Sequence, residues 1–394
     1  MKTPESYIRQ DIRDMAPSGI RKYFEMMNEL EDVISLSIGE PDFVTPWQVS
    51  EAGVYALEKG HTHYSANSGM LELREQISLY LKRKYGLSYN PADEIIATVG
   101  ASEAIDIALR GILEPGDEVI IPEPSFVAYK GCVTVCKGVP VVVELKEKDC
   151  FKLKADDLEK AISPRTKALI LSFPNNPTGS VMTREDLREI VRVLQDREIL
   201  VITDEVYGEL TYGREHCSIA SFPEVFEKTL YVGGFSKSHA MTGWRLGYVC
   251  GNSMMISHLS KIHQYAIMCA PIMAQYAGIE AYARCEKEVE AMVSEYDMRR
   301  RYLLKGIREA GLPCFEAEGA FYLFPNISGT KLTSDVFCQR LLREHRVLVV
   351  PGTAFGECGE GFIRMTYASS FENIKEALVR IRRFAASLRE VKND

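Results

Sequence analysis

Residues 167–204 read KALILSFPNNPTGSVMTREDLREIVRVLQDREILVITD. An apolar run, Lys167–Phe173 (KALILSF), leads into a turn of Asn, Pro, Thr and Gly. Then comes Thr183–Asp196, and a second short apolar run, Leu200–Asp204 (LVITD). In the middle segment Leu187, Ile190, Val191 and Leu194 recur at helical spacing, and Thr183 with Asp186 has the form of a capping box. Runs that are apolar at nearly every position suit strands covered on both faces. Strand, helix and strand in this order make one β-α-β crossover. Outward from it, Asp117–Pro122 (DEVIIP), Pro140–Leu145 (PVVVEL) and Thr229–Gly233 (TLYVG) repeat the strand pattern. The fold class that follows is α/β, a three-layer α/β/α large domain around a mostly parallel sheet.

The last third reads differently. Glu286–Glu309 is a long, charged amphipathic helix, Ala320–Phe324 and Phe362–Thr366 are short strand-like pieces, and Thr333–Glu344 and Glu372–Val391 are helical. This mixture predicts a smaller α+β domain. The expected division is 1–45 as an N-terminal arm and part of the small domain, 46–284 as the large domain and 285–394 as the C-terminal small domain, with an active site between them.

Composition removes other classes. Of 394 residues, 46% are hydrophobic and 26% charged, a globular balance rather than a disordered one. The net charge of −8 argues against coating nucleic acid or an anionic membrane. No apolar run approaches the roughly 20 residues needed to cross a bilayer, and Met1 to Asp14 shows no signal peptide. Ten cysteines are scattered from Cys132 to Cys358 without a C-x-x-C pair. They read as free thiols of a reducing, cytoplasmic compartment, with no metal site.

Four segments sit where strands end, which is where open α/β sheets place ligands. Thr98-Val99-Gly100-Ala101-Ser102-Glu103 opens a helix with a small-residue turn, suited either to a phosphate or to a plain N-cap by Ser102. Asn175-Asn176-Pro177-Thr178-Gly179 has the form of a Pro-Gly turn. Asp204-Glu205-Val206-Tyr207 places an acid at the end of a buried strand, costly without a cationic partner. Gly234-Phe235-Ser236-Lys237, continuing to Arg245 and Tyr248, sets a lysine among small residues after a strand. Each has an ordinary explanation alone; one chemistry explains all four together.

At these residues the chain resembles the class I/II aminotransferases of the fold type I pyridoxal phosphate enzymes, in their bacterial gamma-like subgroup. The resemblance runs from Ser37–Pro46 (SIGEPDFVTP) to Phe362–Ala368 (FIRMTYA). It implies the cofactor pyridoxal 5′-phosphate, with Lys237 as the Schiff-base lysine and proton shuttle. Asp204 would pair with the pyridine nitrogen, and Tyr207 and Asn176 would bond the ring's O3′. Phe126 would stack on the ring. Ala101, Ser102, Ser236 and Arg245 would hold the phosphate, while Gly234 stands where many relatives carry a hydroxyl. Tyr64 matches a tyrosine that reaches the phosphate of a neighbouring subunit, implying a homodimer with a shared active site. Arg364 matches the arginine that binds the substrate α-carboxylate, assisted by Gly39 and Asn176.

The implied reaction is transfer of an amino group from an L-amino acid, preferably aromatic or large and neutral, to a 2-oxo acid such as 2-oxoglutarate by a ping-pong mechanism. Aspartate and N-acetyl-diaminopimelate aminotransferases share these motifs. A carbon–sulfur β-lyase of the same fold would keep Lys237, Asp204 and Arg364. A regulator that senses the cofactor would need an added DNA-binding domain, for which the chain before Ser37 has no room.

Overall fold

The computed structural model describes residues 3–15, 26 and 30–390; of the expected N-terminal arm, 1–2, 16–25 and 27–29 lie outside the described residues, as do 391–394. Thr166–Ser172 and Leu200–Asp204 are parallel neighbours with Ser172 opposite Asp204, and the helix Arg184–Leu194 crosses between them. The Thr183 hydroxyl accepts from the Asp186 N–H at 3.2 Å, and the Thr183 N–H donates to Asp186 Oδ2 at 2.9 Å. The capping box therefore closes as its spacing predicts.

Seven strands surround this crossover. In spatial order they are Ile95–Thr98, Gly247–Cys250, Thr229–Gly234, Leu200–Asp204, Thr166–Ser172, Glu118–Glu123 and Val139–Glu144. The last five pair parallel, whereas Gly247–Cys250 runs antiparallel to both of its neighbours. Side chains alternate between the two faces of a strand. Val119, Ile121, Ala168, Ile170, Ile202, Val232 and Val249 pack with the helices Gly100–Ile112, Ala128–Val135 and Ser253–Ala266. On the opposite face, Ile120, Leu169, Leu171 and Val201 meet Arg184–Leu194. Ile95, Ala97, Tyr231 and Tyr248 meet Leu71–Tyr85 and Ile272–Arg284 on that same face. The architecture is α/β/α in three layers.

One strand departs from expectation. Val139–Glu144 is an edge strand and not one covered on both faces, with Val139 44% and Val142 41% exposed. β-branched residues fit an edge as well as a centre, so composition alone does not distinguish the two positions.

Beyond Arg284 the helix Glu286–Glu309 packs with Ser334–His345 and Phe371–Glu390 around an antiparallel sheet ordered Val350–Pro351, Ile363–Thr366, Tyr322–Leu323. Their core holds Tyr296, Leu303, Phe337, Leu341, Ile374 and Phe384, together with Leu36, Tyr207, Leu210 and Tyr212 from earlier in the chain. Ile34–Ser35 pairs parallel with Val347–Leu348, which carries the segment after it toward the sheet's edge. Among the described residues, no helix is long and apolar enough to cross a membrane. No group of His, Cys, Asp and Glu among them could hold a metal ion, and none of the ten cysteines is disulfide-bonded.

Candidate active site

The parallel strands ending at Thr98, Ser172, Asp204 and Gly234 deliver their following loops to one edge of the sheet. There a cavity of about 590 Å³ opens, roofed by residues 37–40, Tyr322 and Arg364. Ala101, Ser102, Phe126, Asn176, Asp204, Tyr207, Ser236, Lys237, Arg245, Gly39 and Arg364 all line it.

At one end the helix Gly100–Ile112 begins with Val99 in the cap position and no side chain capping it, so Ser102 is not the N-cap. Gly100 adopts φ +73, and a Cβ added there would come within 2.6 Å of Arg245 Nη2. A Cβ on Gly247 would come within 2.5 Å of the Ala101 nitrogen. Two missing side chains thus let a turn with free first-turn N–H groups lie between a strand and a guanidinium, a cradle with the chemistry of an anion site. Arg245 Nη1 donates to the Thr242 carbonyl at 3.0 Å, which leaves the rest of its fork available.

Asp204 is buried at the strand end. Its Oδ2 accepts from Tyr129 Oη at 2.7 Å and its Oδ1 from the Val206 N–H at 3.3 Å. Burial pushes its carboxyl up to about 6 despite these donors. The Lys237 amine is pushed down to about 8, by burial first; Glu40 opposes that shift while Arg364 and Arg245 assist it. Lys237 Nζ donates to the Gly39 carbonyl at 2.7 Å.

The opposite wall is built around Arg364. Its Nη1 donates to Asn176 Oδ1 at 3.0 Å and its Nη2 to the Ser37 carbonyl at 2.5 Å. Its Nε is buried without a partner. The guanidinium lies 4.6 Å from the ring centroids of both Tyr322 and Phe355. Tyr207 Oη and Tyr322 Oη are 2.8 Å apart, and burial raises the hydroxyl pKa of both tyrosines. Phe126 stands edge-on to Tyr129 at 5.6 Å between centroids.

Tyr64 is the candidate that the cavity does not include; it is 81% exposed. Its loop is tied down nonetheless. Gln275 Nε2 donates to Ser65 Oγ at 3.0 Å, Gln275 Oε1 accepts from the Met70 N–H at 2.7 Å, and the Ala97 N–H donates to the Ser68 carbonyl at 3.0 Å.

Two residues of the cavity wall escape sequence reasoning. Tyr129, three positions after Phe126 on the helix Ala128–Val135, holds Asp204 and also bonds Ser172 Oγ at 2.9 Å. Tyr322, within the strand-like run Ala320–Phe324, links Tyr207 to Arg364. Both look like core aromatics in sequence, and only the three-dimensional neighbourhood gives their hydroxyls a task.

The arrangement fits pyridoxal phosphate on four counts. It has a cradle of backbone and guanidinium that a Cβ on Gly100 or Gly247 would crowd, and a buried carboxylate in want of a cation. It has an amine with a lowered pKa, and a cavity-lining arginine whose buried Nε–H is unpaired. Comparison with known proteins agrees. The family model described as aminotransferase class I and II matches residues 31–381. A putative aminotransferase of Bacillus subtilis, YugH, is 48% identical over 96% of this chain and 98% of its own length. An aspartate aminotransferase of Pyrococcus abyssi is 45% identical over 93% of this chain and 95% of its own. The crystal structure of an aromatic aminotransferase from Pyrococcus horikoshii superposes with a TM-score of 0.89 at 44% identity, covering 94% of this chain and 99% of that one.

Proposed function

Since this chain belongs to the class I and II aminotransferase family and is a pyridoxal phosphate-dependent transaminase, we propose that its donor is an aromatic or other large neutral L-amino acid. The acceptor is a 2-oxo acid such as 2-oxoglutarate, and the cycle is ping-pong. Relatives named for aspartate and for aromatic amino acids are about equally similar, at 45% and 44% identity, so similarity does not choose between them.

The observation that carries the preference is the cavity's charge. Its cations are Lys237, Arg245 and Arg364, and its anions are Glu40 and Asp204. In this reading each cation has a task. A second carboxylate would meet Glu40, and no further cation among the described lining residues. Ile38, Phe126, Val206 and Tyr322 offer apolar wall to a large side chain. The distal carboxylate of 2-oxoglutarate meets the same lining, so an acidic acceptor should bind weakly as aspartate does, and the preference is one of affinity among donors.

When bound, the cofactor supplies an electron sink for the charge released at the substrate Cα. Asp204 keeps the ring nitrogen protonated, and Tyr129 holds Asp204 in place. Tyr207 and Asn176 bond the ring oxygen, with Tyr322 fixing the Tyr207 hydroxyl. Phe126 covers the ring face, and Ala101, Ser102, Ser236 and Arg245 hold the phosphate. Arg364, with Gly39, grips the α-carboxylate as a fork and so fixes which Cα bond is presented for cleavage. Lys237 Nζ takes the proton from Cα; a pKa near 8 leaves part of it in the basic form at neutral pH. Two copies share the site, each offering Tyr64 from a loop that Gln275 holds rigid.

The test is a titration of the holoenzyme with single L-amino acids while the cofactor's visible band is followed. Aromatic donors should bleach the band at lower concentration than aspartate, and added 2-oxoglutarate should restore it. Aspartate bleaching it first would remove the donor preference. A band that persists while pyruvate and ammonia accumulate from cystathionine would make the protein a β-lyase.

A further inference from the structure

His263 lies in the last turn of the helix Ser253–Ala266 and is fully buried. Its Nδ1 is 2.6 Å from Glu103 Oε1, and its Nε2 is buried without a partner. Glu103, also buried, turns back along its own helix so that its Oε2 accepts from the Val99 N–H at 2.5 Å. One interior carboxylate therefore joins a second helix to the residue just before Gly100. Burying such a pair costs free energy unless its hydrogen bonds are made, and none of the reacting groups named above touches it.

Its geometry shows what it holds. Gly100 carries the left-handed φ of +73, and Ala101 and Ser102, which follow it at the start of the helix, line the cavity. On the cavity side Arg245 lies against Gly100. Thr98 Oγ1 donates to the Gly100 carbonyl at 2.9 Å. Behind, the Val99 N–H is held by the Glu103 carboxylate. The two helices approach closely enough that a Cβ on Gly111 would come within 2.4 Å of Leu259 Cδ2, which puts His263 within reach of Glu103.

We propose that Glu103 and His263 are positioning residues for the cofactor phosphate, a buried clamp that sets the turn from behind while Arg245 closes it from the front. The proposal rests on the reading of Ala101, Ser102 and Arg245 as the phosphate cradle. Without His263, Glu103 loses one of its two donors in the interior and the Val99 turn loses its fixed acceptor. The consequence falls on phosphate recognition and not on the ring or on Lys237.

Full-length cofactor-free protein titrated with pyridoxal 5′-phosphate and, separately, with pyridoxal tests this, since the two share ring and aldehyde and differ in the phosphate. Binding is read from the absorbance of the Lys237 adduct and needs no turnover. His263→Phe and Glu103→Met, which removes the acceptor altogether, should each weaken the phosphorylated ligand by about tenfold or more, the worth of one hydrogen bond to a charged group. Pyridoxal affinity should stay nearly unchanged. His263→Gln, whose amide can still donate to Glu103, should recover most of the loss. Equal weakening of both ligands, or of neither, overturns the clamp. If His263→Phe does not fold, Glu103→Met and His263→Gln decide by the same ratio, the first shifting it and the second leaving it near that of the wild type. Arg245→Ala is the reference: if it too leaves the ratio unchanged, the cradle reading fails, whereas a changed ratio there with none at His263 removes the clamp alone.

Discussion

On the sheet side of the cavity, Asp204 ends one strand, Lys237 follows its neighbour and Arg245 precedes the next, all within one continuous stretch of chain. On the roof side, Arg364 bonds the Ser37 carbonyl across 327 positions of sequence. The strands beneath the roof are also short: Ile34–Ser35 and Tyr322–Leu323 are two residues each. The floor takes its precision from a seven-stranded sheet packed on both faces. The roof takes its precision from side chains bonding to one another, Arg364 to Asn176 and Tyr322 to Tyr207.

Substitutions can break this contrast, beginning with the floor. Lys237→Ala removes the amine to which proton transfer is assigned, and kcat should fall by about 10²–10⁴-fold or more in steady-state assays. A variant that keeps near-normal turnover would remove Lys237 from its role.

Asp204→Asn should separate stability from activity. The folded carboxyl titrates near 6 against an ordinary 3.8, so its favourable contribution is complete below pH 3.8 and is lost as pH rises through 6. At pH 8 the cofactor-free protein bears an ionised buried carboxylate at a cost of up to about 3 kcal/mol. Asn avoids that cost and keeps an acceptor for Tyr129. The cofactor-free variant should therefore melt higher than wild type at pH 8, with the advantage vanishing toward pH 4, even as turnover collapses. Equal melting at both pH values would mean that burial does not strain Asp204.

The roof should fail differently. Arg364→Lys keeps charge and loses the planar fork, so kcat/KM should fall by about 10- to 100-fold for every donor. Affinity for pyridoxal phosphate should stay unchanged, as an equilibrium titration would show. Loss of cofactor binding as well would erase the distinction between roof and floor. The smallest effect is expected at Gly234, where an added Cβ would meet Gly247 Cα at 3.5 Å and Ala101 Cβ at 3.9 Å, ordinary contacts. Gly234→Ser restores the hydroxyl that many relatives carry. It should tighten cofactor binding by about 1 kcal/mol, a factor of several in Kd.

The same contrast explains what was legible beforehand. Asp204, Lys237 and Arg245 are polar groups at the ends of apolar runs, so their residue types already conflict with a bland interior. The crossover Thr166–Asp204 and its capping box are local patterns and survive folding unchanged. Tyr129 and Tyr322 carry no such conflict, because an aromatic in an apolar run satisfies packing alone. The antiparallel sense of Gly247–Cys250 and the edge position of Val139–Glu144 depend on neighbours distant in sequence, which no local period encodes. Glu103 and His263 look like a helix acid and a helix histidine until the two helices are brought together.

The pairing of Ile34–Ser35 with Val347–Leu348 also sets an order of events at birth. A ribosome releasing about 5–20 residues per second exposes Lys237 and Arg245 on the order of ten seconds before Arg364. During that interval the first strand has no partner, and Leu36, Tyr207, Leu210 and Tyr212 have not yet met the core they share with the C-terminal helices. The nascent chain can complete a floor for its cofactor while the roof is still being translated. The face that receives the substrate is thus the last part of the cavity to be made.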